Sequence, residues 1–399
     1  MSRVNPNGHG TSRKEIRVAF LTMGDPNDRT FWSGTPYRMA RAIEKYCGEV
    51  VPVGPFQPFE LQIGRVIHRG VKLLTGKTYR HLHTNWLSKK LGKIADAKMH
   101  GAPCDVIFAP AGSTLLAHLN ASVPVVYLSD ATFRLMANYY SDFSNLLAFN
   151  ARTADLLERL AIERASQLIY PSSWAAESAV RDYGADPSKI TVIPFGANLE
   201  TPPSREDALR VEGDSEQCRL LFVGVNWKRK GGDIAVETLF ELERLGIPAE
   251  LTVVGCKPPY AVKHAHFRVY ERLNKNDPHQ RQELDRLYKR AHFFVLPTRA
   301  ECFSIALCEA NAYGLPVVST HTGGLPELVR EGVSGFLLPI EARGDQYAAR
   351  IRDVFRNSTR YQELRAASRD EFETRLNWDA WGKKVKEILL AAVGSGAAL

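Results

Sequence analysis

Phe293-Phe294-Val295-Leu296-Pro297-Thr298-Arg299-Ala300-Glu301-Cys302-Phe303-Ser304-Ile305-Ala306-Leu307-Cys308-Glu309-Ala310 moves from an apolar run to a proline-headed loop and then to a helical pattern. Four large apolar residues predict a buried strand, Pro297 ends it, and the loop leads into a helix near Ser304. Strand, loop and helix in this order build doubly wound sheets, in which ligands bind beyond the carboxyl ends of the strands. A helix N-terminus there offers unpaired N–H groups and a partial positive charge to phosphate. Phe303, Ser304, Ile305 and Ala306 are thereby expected to face a diphosphate. Glu301 and Glu309 flank the turn; a continuous helix between them would hold them roughly 12 Å apart. One ligand with a polyol on either side of its phosphates could touch both.

The same alternation runs along the whole chain. Arg17 to Met23, Asp105 to Ala109, Pro124 to Leu128, Gln167 to Pro171 and Lys189 to Ile193 read as buried strands of a first half. Arg219 to Val223, Ala249 to Val254, Phe293 to Leu296, Pro316 to Ser319 and Gly335 to Leu338 read so in a second. Parallel strands need crossovers that helices supply, so the expected class is α/β with two doubly wound domains. Periodicity fails at Pro202, Pro203 and Ser204. The expected divisions are a polar tail over 1–15, a first domain over 16–198, a linker over 199–217, a second domain over 218–375 and a final helix with its tail over 376–399. Trp378 and Trp381 in that helix need somewhere to bury two indoles.

Of 399 residues, 44% are hydrophobic and 24% charged, which excludes disordered, collagen-like and coiled-coil classes. The apolar run Ile16 to Met23 is broken by Gly24, Asp25 and Pro26, too short for a signal peptide, and no window reaches the roughly 18 apolar residues of a membrane span. A cytoplasmic chain is expected. Six cysteines without a CxxC pair or a histidine cluster are expected to be free thiols, with no metal site. The net charge of +8 is concentrated: Arg65, Arg69, Lys72, Lys77, Arg80, Lys89, Lys90, Lys93 and Lys98 face only Asp96, and nine minus one leaves the remainder neutral. Interleaved with Val71, Leu73, Leu74, Tyr79, Trp86, Leu87 and Leu91, residues 65–98 read in one of two ways. They form either a contact with an anionic acceptor or the anionic inner face of a membrane, or a solvated helical face. Lys228, Arg229 and Lys230 lack the aromatic platform or helix-turn-helix of a nucleic-acid site, so no nucleic-acid partner is expected.

Glu301 and Glu309 also form an E-x7-E pattern, followed by Gly314-Leu315-Pro316-Val317-Val318 and Gly323-Gly324-Leu325-Pro326-Glu327. In Phe222-Val223-Gly224-Val225-Asn226-Trp227-Lys228-Arg229-Lys230-Gly231-Gly232 a lysine stands six residues after the glycine that ends a strand. On these segments the chain resembles the retaining GT-B glycosyltransferases of family 4 (glycosyl transferases group 1). The resemblance implies two Rossmann-like domains facing a cleft, with the last helix crossing back to the first domain. It implies transfer of a hexose-type sugar from a nucleotide-diphosphate sugar to a hydroxyl acceptor: a glycan, a lipid-linked glycan or a small molecule. It implies front-face attack with the diphosphate helping to take the acceptor proton, and neither cofactor nor metal. Glu301 is then assigned to the donor sugar, Glu309 to the ribose and Lys230 to the diphosphate, whose charge as leaving group must be met by fixed cations. Val225 stands where the family has arginine, and Arg229 or Lys228 is expected to replace it.

Phe31-Trp32-Ser33-Gly34-Thr35-Pro36-Tyr37 is similar to the family's glycine-bearing loop after the first strand, where Gly34 would let the backbone approach a ligand; the alternative reading is a plain turn. It is no G-x-G-x-x-G fingerprint, which argues against a nicotinamide enzyme. Asp130 occupies the region where the family often carries histidine. It reads as a base or sugar ligand, or as a helix cap. Base recognition is expected around Gly255 to Lys257 and Arg268 to Tyr270. Two other functions fit the same residues: a sugar-nucleotide epimerase of this fold, and a catalytically silent nucleotide-sugar-binding partner of another transferase.

Overall fold

The computed structural model describes residues 15–210 and 216–396. The polar tail expected over 1–15 lies outside the described residues except for Glu15, as does the end of the final helical segment at 397–399. Among the described residues, twelve strands form two six-stranded sheets. The first contains β1 (Ile16–Phe20), β2 (Gly48–Pro52), β3 (Val106–Pro110), β4 (Val125–Leu128), β5 (Gln167–Tyr170) and β6 (Ile190–Val192), in the order β2-β1-β3-β4-β5-β6. The second contains β7 (Cys218–Val223), β8 (Ala249–Val254), β9 (Phe267–Tyr270), β10 (Phe293–Leu296), β11 (Val317–Thr320) and β12 (Gly335–Leu338), in the order β12-β11-β10-β7-β8-β9. Every strand pairing is parallel. A parallel sheet is covered on both faces, which explains why β3, β4, β8, β10 and β11 are buried throughout.

Strand order reverses between β1 and β3 in the first sheet and between β7 and β10 in the second. At such a reversal the loops leaving the two strands diverge to opposite faces and open a crevice beyond their carboxyl ends. The loops after β7 and β10 carry Lys230 and Glu301.

The chain crosses between the sheets twice, and the crossings are bonded to each other. Ala197 N donates to the Leu376 carbonyl at 3.0 Å, Trp378 Nε1 donates to Asn198 Oδ1 at 3.0 Å, and Trp378 stacks on Phe195 at 6.3 Å. After the second crossing the helix Trp378–Gly396 packs on the first domain, against the helix α1 (Thr35–Tyr46), β3 and β4. Trp381 is fully buried there, edge-on to Phe108 at 6.0 Å. The segment expected as a linker holds a short helix, Arg205–Leu209, strapped to the second domain by Arg365, which donates to the carbonyls of Ala208 at 2.6 Å and Leu209 at 3.2 Å.

Candidate active site

The loop after β7 closes into one helical turn, Trp227–Lys230, because Asn226 Oδ1 caps it by accepting from Arg229 N at 2.9 Å. Trp227 anchors the turn in the core beside Phe222. The Lys230 stem then lies against Gly224, where a Cβ would come within 2.9 Å of Lys230 Cγ. The loop after β10 is stitched to this turn: Arg299 N and Thr298 Oγ1 donate to the Arg229 carbonyl at 2.7 and 3.1 Å, and Arg229 Nη1 donates to the Ala300 carbonyl at 2.8 Å.

The buried Glu301 carboxylate collects the cations of the first loop. Lys230 Nζ donates to its Oε2, and Arg229 Nη1 lies 3.4 Å from the same oxygen. Lys228 is exposed, so of the two candidates for the missing second cation only Arg229 reaches the cluster. An arriving diphosphate would compete with Glu301 for Lys230 and Arg229 and leave the carboxylate free to accept hydroxyls.

The helix Ile305–Ala312 begins four residues after Glu301, so the two glutamates are not spanned by one helix and the spacing of roughly 12 Å does not apply. Thr298 to Ser304 form an irregular loop instead. Glu309 is the fifth helical residue, almost wholly buried, and takes hydrogen bonds from Tyr288 Oη at 3.1 Å and from Lys275 Nζ. Phe303 turns inward against Phe195 at 4.9 Å, leaving its backbone rather than its ring to face a ligand. Ser304, at the helix N-cap, has a buried hydroxyl with no hydrogen-bond partner, and Ile305 is half-buried at the first turn. An orphaned hydroxyl beside helix N–H groups matches what a phosphate oxygen needs.

Gly34 lies across the cleft with φ of 79°, after Trp32 and Ser33 in the same left-handed region. It borders a cavity of about 400 Å3 that also meets Arg29, Arg38, Lys275, Asn276 and Tyr288. The cavity is therefore walled by both domains and runs toward Glu309 through its partners Lys275 and Tyr288. The expected base-recognition segments do not line it; Lys257 pairs with Glu271 at 3.0 Å, and Tyr270 Oη donates to Glu283 at 2.8 Å. Lys275 escaped sequence reading although Asp277-Pro278 announces a helix start two residues later, since an isolated lysine has no pattern of its own.

Asp130 follows β4 and faces Glu301; burial, with that neighbouring carboxylate, raises its pKa from 3.8 to about 6. The helix cap nearby is Thr132 rather than Asp130. Beyond it stand two tyrosines that sequence reasoning missed. Tyr139 Oη accepts from Glu301 N at 2.9 Å and Tyr140 Oη accepts from Cys302 N at 2.8 Å, so hydroxyls of the first domain occupy backbone donors of the second. Gly323, with φ of 54°, allows this approach: a Cβ there would meet the Glu301 carbonyl at 2.0 Å and Tyr139 Oη at 2.6 Å. Arg229 lies over the Tyr140 ring at 5.2 Å. Burial pushes the Cys302 and Cys308 thiols up, which removes them as nucleophiles at neutral pH. Among the described residues no group of three or more His, Cys, Asp or Glu is placed to hold a metal ion.

Residues 35–201 match the pattern of Glycosyltransferase Family 4, and residues 217–357 that of Glycosyl transferases group 1. The D-inositol 3-phosphate glycosyltransferase of Mycobacterium sp. strain KMS is 32% identical over 195 residues, 47% of this chain and 44% of that protein. Its namesake in Thermobifida fusca is 29% identical over 231 residues, 54% and 53% of the two chains. The chain thus spans about half the length of the curated relatives it matches. Among solved structures, sucrose-phosphate synthase from Thermosynechococcus elongatus superposes with a TM-score of 0.66 at 18% identity, covering 96% of this chain and 100% of that one. Anabaena HepE, solved with UDP and glucose, superposes with a TM-score of 0.59 at 16% identity over 94% and 100%. These likenesses are of fold, and the fold is GT-B. With each half matched in sequence and the two sheets facing one cleft, the chain belongs to family 4 of the group 1 glycosyltransferases.

Proposed function

We propose that the chain transfers a hexose-type sugar from a nucleotide-diphosphate sugar to a hydroxyl acceptor with retention of configuration. The observation that carries this reading is the cluster of Lys230, Arg229 and Glu301, built from the two loops that leave the strand-order reversal β7/β10. Two cations on one buried carboxylate, with the unpartnered Ser304 hydroxyl three residues further along the same loop, fit a group with separate phosphate and polyol parts. On donor binding Lys230 and Arg229 turn to the diphosphate and meet the charge that builds as it leaves, a role that needs no metal. Glu301 then holds sugar hydroxyls, Glu309 holds ribose hydroxyls, and the cavity beside Gly34 receives the nucleoside. The complex of the same-fold Anabaena protein with UDP and glucose supports a nucleotide-sugar donor. Asp130, ionised above about pH 6, would take an acceptor proton or hold a sugar hydroxyl.

The test is a thermal-shift screen across UDP, GDP, ADP and their sugars, followed by donor turnover with the ligand that stabilises the chain. Lys230→Ala should lower kcat/KM about 100-fold or more. A chain stabilised by no nucleotide, or a fully active Lys230 variant, would remove the reading.

A further inference from the structure

The basic segment resolves into two helices, α2 (Glu60–Thr75) and α3 (Asn85–His100), that differ in how they meet the rest of the chain. α3 buries Leu87, Leu91 and Ala95. α2 buries only Gly64, where a Cβ would meet His81 at 2.4 Å, and is held on the same side by His68 Nδ1 at 2.8 Å from the Tyr79 carbonyl. Its opposite side is apolar and open to solvent: Phe59, Ile63, Val66, Ile67, Leu73 and Leu74, with Leu73 86% and Leu74 84% exposed. At about 100° per residue these six fall within an arc of roughly 120°. They are six of the fifteen large hydrophobics exposed anywhere among the described residues, so the stripe is a patch rather than scatter.

Arg65, Arg69 and Lys72 line one margin of the stripe, with Lys77 after its end. The one acid of α2, Glu60, is taken by Lys90. Among the described residues Arg65, Arg69, Lys72, Lys77, Lys89 and Lys93 have no carboxylate within ion-pair reach. Beside Tyr79, the half-exposed Trp86 and Phe149 border a groove of about 450 Å3 that also meets Lys89. An apolar stripe edged by unpaired cations and followed by an indole is the pattern of a helix lying in a lipid headgroup layer. A second copy of the chain would set one cationic margin against another, whereas an anionic surface neutralises it.

We propose that α2 docks the first domain on an anionic lipid bilayer, with its apolar stripe in the headgroup region and Arg65, Arg69 and Lys72 on lipid phosphates. This docking is independent of glycosyl transfer and is read by binding alone. The full chain is sedimented with vesicles of phosphatidylcholine, with and without phosphatidylglycerol, at low and high salt. It should pellet only with the anionic vesicles, and less as salt rises. Leu73→Ser with Leu74→Ser, and separately the charge reversals Arg65→Glu, Arg69→Glu and Lys72→Glu, should each weaken vesicle binding at least tenfold. All these side chains are exposed, and an unchanged circular dichroism spectrum and Tm would verify that the variants fold. If the unaltered chain stays in the supernatant with anionic vesicles at low salt, or the double serine variant pellets as well as the original, the proposal is overturned. A concentration-dependent dimer that ignores vesicles and dissociates in the serine variant would overturn it in favour of a contact between copies.

Discussion

At the scale of single residues the site is a set of opposed charges whose balance a ligand must change. Glu309→Gln keeps the shape of the buried group but replaces a charge-assisted acceptor by a neutral one. Nucleoside diphosphate binding should weaken by about 1.5 kcal/mol, roughly tenfold in Kd, with the circular dichroism spectrum unchanged; calorimetry with unaltered affinity would dismiss the ribose assignment. Asp130 makes a prediction about pH. Its folded pKa of about 6 lies above the ordinary 3.8, so the folded chain binds that proton more tightly than the unfolded chain does. The sign follows: stability is fully present below pH 3.8 and falls as pH rises through about 6. Because the residue keeps some solvent exposure, the shift is worth about 2 kcal/mol, less than its full value. Asp130→Asn should therefore raise Tm at pH 8, and the gain should shrink on titration toward pH 4. A gain that is the same at both pH values would mean that the carboxylate is not desolvated. Glu301, Glu309 and Lys230 stood out in the sequence because each sits at a fixed distance from a strand end. Lys275, Tyr139 and Tyr140 did not, because they reach the site from segments that only the folded chain brings there.

At the scale of elements, the cleft between the two sheets is held shut by polar contacts between the domains. Besides the tyrosine pair, Ser173 N and Oγ donate to Glu327 Oε2 at 3.2 and 3.0 Å, placing a carboxylate at the start of the helix Ser173–Tyr183. The double substitution Tyr139→Phe with Tyr140→Phe removes the two hydroxyls alone. Tyr139 Oη also bonds Thr322 Oγ1 at 2.9 Å, so three hydrogen bonds are lost; at about 1 kcal/mol each, the closed form loses roughly 150-fold in population. Small-angle scattering of the unliganded variant should show a larger radius of gyration; a scattering curve identical to the original would mean that closure rests on other contacts. The strands were legible in proportion to their burial. All ten that are expected from apolar runs appear, nine of them within one residue at each end, while β1 stops at Phe20, three residues before the expected Met23; β2 and β9, at sheet edges, had gone unread. Their burial is partial, and Gly48-Glu49-Val50-Val51-Pro52 and Phe267-Arg268-Val269-Tyr270 carry the polar residues that an edge tolerates. The basic segment shows the converse: its charge was plain in the sequence, but which face of α2 is free follows from the contacts of Gly64 with His81 and of His68 with the Tyr79 carbonyl, which only the folded chain makes.

At the scale of the whole molecule the two domains are joined by more than a linker, since the helix Trp378–Gly396 completes the first domain from the far end of the second. Trp381→Ala should cost about 3 to 5 kcal/mol, as for other fully buried large aromatics, and lower Tm although the residue is remote from the cleft. A Tm within experimental error of the original would show that the first domain closes without it. This return of the chain also sets an order in time. The last strand of the first sheet ends at Val192 and the covering helix begins at Trp378, 186 residues later by subtraction. At about 5 to 20 residues per second, a ribosome needs roughly 10 to 40 s to make that interval. Through all of it the newborn first domain lacks the apolar cover that this helix lays over α1, β3 and β4. The nascent chain is consequently a client for whatever shields hydrophobic surface at the ribosome exit, and codon changes that slow translation of the second domain would lengthen that exposure without altering a single residue.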